Sequence, residues 1–170
     1  MLRHLFPRLT PAQSRGSALF EALVAEARRE HWFVEGGIPD TIDGRFAVLA
    51  TIVALATVRL ESGDAPAHEQ AVALAERFVE AMDAEHRQIG IGEPGLGKTV
   101  RRLVGALSRR VELWREAVHG GDWSAAVFAS LFPAGQASPA ALAHCESRLR
   151  DFWARLAAAS DQALAEGQIR

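Results

Sequence analysis

Apolar residues recur along most of this chain at steps of three and four, the spacing that puts them on one face of an α-helix. Leu19, Phe20, Leu23, Val24 and Ala27 share such a face. Ahead of them, Thr10-Pro11-Ala12-Gln13 has the form of an N-cap with proline at the first helical position, which predicts a helix from there to about Arg29. A second helix, capped by Asp40 or Thr41 and running to about Glu61, is apolar on most sides and belongs at the centre of the fold. After the turn Ser62-Gly63-Asp64-Ala65-Pro66, a third should bury Val72, Ala75, Phe78, Val79 and Met82 and show an acidic outer stripe of Glu69, Glu76, Glu80 and Asp83.

The clearest amphipathic pattern spans about Leu96 to Val118. Val100, Leu103, Val104, Leu107, Val111, Trp114 and Val118 make its apolar face, while Lys98, Arg101, Arg102 and Arg109 project from the other, with Gly105 among them. Gly120-Gly121-Asp122 ends that helix and caps a short one, Trp123 to Phe132, which Pro133 stops. Ser138-Pro139 opens a last helix, to about residue 166, with Leu142, Cys145, Leu149, Phe152, Trp153 and Leu156 inward. Strand signals are weak throughout, so the expected fold is all-α, a single domain of about six helices.

Composition excludes several function classes. A formal charge of -2 argues against a general nucleic-acid binder, which carries a basic excess, so any basic function must be local. The lone Cys145 can form neither an internal disulfide nor a thiolate metal site, and a reducing compartment is its simplest setting. The longest apolar run, Phe46 to Val58, is too short to span a bilayer, which takes about 20 residues. Residues 1–10, with Arg3, His4 and Arg8 among Leu2, Leu5, Phe6 and Leu9, read as a flexible or membrane-surface arm, or as a transit peptide that would make the protein mitochondrial.

Candidate catalytic groups do not converge. Gly92-Glu93-Pro94-Gly95-Leu96-Gly97-Lys98-Thr99 satisfies the phosphate-loop pattern, whose backbone amides cradle phosphates when a buried strand delivers the chain into the loop. The residues before it have helical spacing and are largely polar, so a small nucleotide-binding protein using Gly92 to Thr99 is the alternative reading, discriminated by a strand before Gly92. Asp83 and His86 are one helical turn apart, but a single such pair lacks the further ligands a di-iron bundle needs. His144, Cys145 and Glu146 are adjacent rather than on one helix face, and His31-Trp32 read as core or interface. No metal, cofactor or activated nucleophile is expected.

The second dense feature is Gly36-Gly37-Ile38-Pro39-Asp40-Thr41-Ile42-Asp43-Gly44-Arg45-Phe46. Its glycines allow backbone angles other residues avoid, Pro39 fixes a turn, and Asp40 or Thr41 can satisfy free amides at a helix start. Gly37 to Phe46 and Gly90 to Arg102 resemble, in order, the G-[VI]-P-D-T-x-x-G-R-F and G-[VI]-G-[DE]-x-x-x-G-K-x-V-[KR]-[KR] stretches of the ubiquinol–cytochrome c chaperone family. Met82-Asp83 fits the same pattern, with Ala81 where an acidic residue is common. The resemblance covers roughly Leu19 to Phe132, making 11–132 the family core and leaving the last helix largely outside. Departures are the absence of tyrosine, with His31-Trp32 and Trp114 at positions where relatives carry aromatic pairs or tyrosines, and Thr99 in place of a frequent second lysine.

The resemblance implies a non-catalytic assembly factor of the ubiquinol–cytochrome c reductase complex. Its implied partners are newly made cytochrome b or another component of that complex, a second assembly factor, and a peripheral membrane contact, with no specific nucleic acid. The expected location is the cytoplasm, at the inner membrane surface. Pro39, Asp40 and Arg45 beside the loop, and Lys98, Arg101, Arg102 and Arg109 on the basic face, are the expected partner-binding residues. Arg45 borders the buried run of the second helix, so its charge should face outward.

Overall fold

The computed structural model describes residues 16–88 and 96–169. The N-terminal arm, the Thr10 to Gln13 cap and most of the glycine-rich phosphate-loop match lie outside the described residues. Within them the protein is all-helical: α1 Ser17–Ala27, a 3-10 turn Glu30–Trp32, α2 Ile42–Glu61, α3 Ala65–Gln88, α4 Leu96–Val118, α5 Trp123–Leu131, α6 Pro139–Ala158 and α7 Asp161–Ala165. No strand occurs among the described residues.

α2 is the axis of the fold. Its side chains from Ala47 to Ala56 are all buried, and α1, α3, α4, α5 and α6 pack around it. Small residues such as Ala47, Ala50 and Ala54 let neighbouring helices approach, and Thr51 satisfies its buried hydroxyl by donating to the Ala47 carbonyl at 2.8 Å. Thr41 is the N-cap, its Oγ1 accepting from Gly44 N at 3.2 Å. Asp122, Ser138 and Ser160 cap α5, α6 and α7 in the same way.

Two positions predicted to face inward do not. Val72 is 61% exposed and Val104 46% exposed. Among the described residues α3 buries the narrow stripe Ala67, Gln70, Ala71, Leu74, Phe78 and Met82, and α4 Leu103, Leu107, Val111, Trp114 and Ala117, so an apolar side chain at the edge of either stripe stays in water. The last helix also breaks where none was expected. Ala159 and Ser160 turn the chain from α6 into the short α7, and Arg59 from α2 holds the break: its guanidinium donates to the Leu156 carbonyl at 3.1 Å and the Ala159 carbonyl at 2.7 Å and pairs with Asp161 at 2.9 Å. A cation at the end of α6 meets carbonyls that have no partner within the helix.

The indoles mark the joints of the core. Trp32 Nε1 donates to the Glu26 carbonyl at 3.0 Å, and Trp114 Nε1 to Ser130 Oγ at 3.0 Å, so both fully buried rings keep their polar edge satisfied. Trp123 stacks edge-on against Trp114 and receives Arg150 from α6 over its face at 4.5 Å. Residues 62–64 reverse the chain from α2 into α3, and Phe46 meets Phe78 across the pair. α4 then runs in the same sense as α2, with Arg115 bound to Glu61 near their C-terminal ends and Arg110, past the middle of α4, reaching back over Phe46 near the start of α2. The starts of α2 and α4 therefore lie at one end of the bundle.

Candidate partner-binding surface

That shared end carries the Gly36–Phe46 loop and the described part of the second motif, Leu96 to Arg102. The loop Gly36–Phe46 is braced from within. Gly36 packs so closely against the Trp32 carbonyl and Cys145 Sγ of α6 that a Cβ there would collide with both. Its need for glycine is space rather than backbone angle, whereas Gly37 does take a left-handed φ of 63°. At Gly44 a Cβ would drive into the Pro39 carbonyl oxygen, so the first turn of α2 closes directly on the loop. Ile38 is buried, while Pro39, Asp40 and Ile42 are exposed.

Arg45 does face outward, as its position predicts, but its charge is engaged. Its Nε donates to Asp40 Oδ1 at 2.6 Å and its second guanidinium nitrogen to Oδ2 at 3.2 Å. This two-pronged bond holds the Asp40 carboxyl below its ordinary pKa. The two residues straddle the helix cap at a spacing of five, outside the three- and four-residue steps by which sequence pairs are found.

The basic stripe on α4 is different. Lys98, Arg101, Arg102 and Arg109 are all exposed. Lys98, Arg101 and Arg109 have no ion pair among the described residues. Gly105 sits among them, its missing side chain leaving the Arg109 guanidinium 3.4 Å from where a Cβ would be. A further cation, Arg110, escaped the sequence reading. It lies beneath the stripe, donating to the Ala106 and Ser130 carbonyls and covering the Phe46 ring at 5.5 Å. Burial first, then neighbouring Arg109, lowers its pKa, and its Nε has no hydrogen-bond partner. The face of α4 from Lys98 to Arg110 is therefore a local concentration of positive charge on a chain of net charge -2.

The other chemical candidates are structural. Cys145 is fully buried, and desolvation pushes its thiol up to about 11, which leaves it unreactive as a nucleophile. Among the described residues no three His, Cys, Asp or Glu side chains gather as metal ligands. The His86 side chain lies outside the described residues, so the Asp83 and His86 pairing is not placed. α3 remains helical to Gln88, so helix rather than strand leads toward Gly92, the reverse of what the phosphate-loop reading requires.

The model of the ubiquinol-cytochrome C chaperone family matches residues 34–170. The chain belongs to that family. The match takes in α6 and α7, beyond the motif-bearing stretch, so the helices that brace the Gly36 loop and receive Arg59 are part of the family unit. Among solved structures, the crystal structure of the Cbp3 homolog from Brucella abortus superposes with a TM-score of 0.80 at 27% identity, covering 99% of this chain and 95% of that one. Comparison with curated proteins found no match. The all-helical fold inferred from periodicity is thus shared with that crystal structure.

Proposed function

We propose that this protein is a non-enzymatic assembly chaperone of the ubiquinol–cytochrome c reductase complex, and that it holds newly made cytochrome b along the basic stripe of α4 from Lys98 to Arg109. The family match over residues 34–170 carries the reading. Exposed Lys98, Arg101 and Arg109, which have no ion pair among the described residues, support the choice of surface, because such charges can steer and hold an acidic client or an anionic membrane face beside it. Exposed Val104, on the same stretch of α4, adds apolar area at the edge of the charges. Since the client is a membrane protein, the chaperone works as a peripheral protein at the cytoplasmic side of the inner membrane, alone or with a second assembly factor.

Deleting the gene tests this directly. Assembled reductase and cytochrome b should fall while soluble metabolism continues, and the wild-type gene should restore both. Normal reductase levels in the deletion strain, with no related gene present, would remove the assembly role.

A further inference from the structure

The 3-10 turn Glu30–Trp32 and the loop that follows rest on one face of α6, and the face is a row of contacts one helical turn apart. Gly37 meets Ala141, Gly36 meets Cys145, and between them the rings of His31 and His144 meet, with His144 Nε2 and His31 Nδ1 3.3 Å apart and ring centroids 5.3 Å apart. Gly36 N donates to the His31 carbonyl at 2.8 Å, so the histidine and the glycine loop move as one piece. No third ligating side chain joins the two histidines among the described residues, which leaves proton chemistry rather than metal binding as what the pair can do.

We propose that the His31–His144 pair is a proton-sensitive latch that loosens the Gly36–Gly37 loop from α6, with Trp32 and Ile38 still anchored in the core, when the pair takes up its second proton. An N–H···N bond needs one donor and one acceptor. A first proton can sit on an outward nitrogen of the donor ring and leave that bond intact. A second must occupy the acceptor lone pair, so the bond is lost and two cations face each other. The surroundings include both signs: Glu26 of α1 favours the charged form of His31, while Arg29 before the turn and Arg148 of α6 oppose it, and Glu30 and Glu35 line the adjoining cavity of ≈ 540 Å³ together with Arg29, His31 and Arg148. Burial is the largest influence on His31, followed by His144, and the result is a pKa below the ordinary 6.5. The loosened state protonates more readily than the docked one, so docking is fully favourable above pH 6.5 and weakens as pH falls below it.

The single cysteine reports the event. Cys145 is sealed under Gly36. Its modification by a disulfide reagent that remains reactive in acid, normalised to a small reference thiol, should therefore rise severalfold between pH 7.5 and pH 5, because docking lowers the proton affinity of His31. The His144→Gln variant, whose amide can still donate to His31 Nδ1 but takes no proton, should cut that rise by about half at unchanged helical ellipticity, leaving the part that burial of His31 alone causes. Titration of the His31 ring proton by NMR in the unmodified protein supplies a second reading and should place its midpoint below 6.5. A flat wild-type profile, an equal rise in His144→Gln, or a His31 midpoint at or above 6.5 would each overturn the latch. The outcome does not depend on what the loop binds, so it stands or falls apart from the chaperone reading.

Discussion

The two motifs at the shared end of the bundle are built in opposite ways. In the Gly36–Phe46 loop nearly every group is already engaged: Gly36 under Trp32 and Cys145, Gly44 against Pro39, Thr41 on Gly44 N, and Arg45 on Asp40. Along α4, Lys98, Arg101 and Arg109 extend into solvent without ion pairs among the described residues, above an Arg110 that meets two carbonyls and the Phe46 ring. The loop spends its residues on holding a shape, and the stripe holds charge ready for something else. Under the proposed function, the loop motif marks a place for structural reasons while the stripe one element away meets the client.

This contrast can be broken most severely at Gly44. Gly44→Val puts a branched side chain into the Pro39 carbonyl, and neither backbone segment can yield without unwinding the start of α2. The expected loss is about 2–4 kcal/mol, seen as a thermal midpoint lower by roughly 5–15 °C. A midpoint within about 2 °C of the unmodified protein would show that the loop is not locked as described.

Gly36→Ala should come next, at about 1–3 kcal/mol, because the new methyl meets the Trp32 carbonyl and Cys145 Sγ. Restoring part of that loss with Cys145→Ala in the same chain would sharpen the assignment, since shortening the opposing side chain relieves one of the two collisions. Additive losses in the double variant would mean that Gly36 and Cys145 do not act on each other.

Reversing charge on the stripe should leave stability alone and remove binding. Arg101→Glu with Arg109→Glu breaks no ion pair among the described residues and takes away the cation that opposes the buried Arg110, so the denaturant midpoint should shift by less than about 0.5 kcal/mol. Association with anionic vesicles or with the client should fall about tenfold at low salt, and the difference between the variants should shrink as salt rises. Equal association at low salt would assign these cations to simple solvation.

The smallest effect belongs to Asp40→Asn. Its bond to Arg45 is exposed on both sides, and exposed pairs contribute little, so the thermal midpoint should move by no more than about 2 °C. A much larger drop would mean that the ion pair, rather than the glycine contacts, sets the loop.

Most of the fold can be read from the chain because helical periodicity records burial directly. The bounds of α4 and the central place of α2 follow from it, as do the caps at Thr41, Asp122 and Ser138. Val72 and Val104 defeat the same reasoning because apolar type cannot distinguish the centre of a buried stripe from its edge. α7 has only five residues, too few for a period, and its position depends on Arg59, about a hundred residues earlier. The candidate surface was legible as charge at helical spacing, but its hidden member Arg110 was not, since a buried arginine at the rim of an apolar face looks like one more solvated cation. His31 and His144 are 113 residues apart, and only the fold brings them together.

The claim that the stripe, and not the loop, receives the client can be tested by site-specific photocrosslinking in the native cell. A photoreactive residue at position 101 should yield an adduct with cytochrome b, while one at exposed Ala154 on α6 should yield none and one at exposed Asp43 beside the loop far less. Adducts from position 43 or 154 at the level of position 101, or none from 101 while cytochrome b still co-purifies with the unmodified protein, would contradict the account.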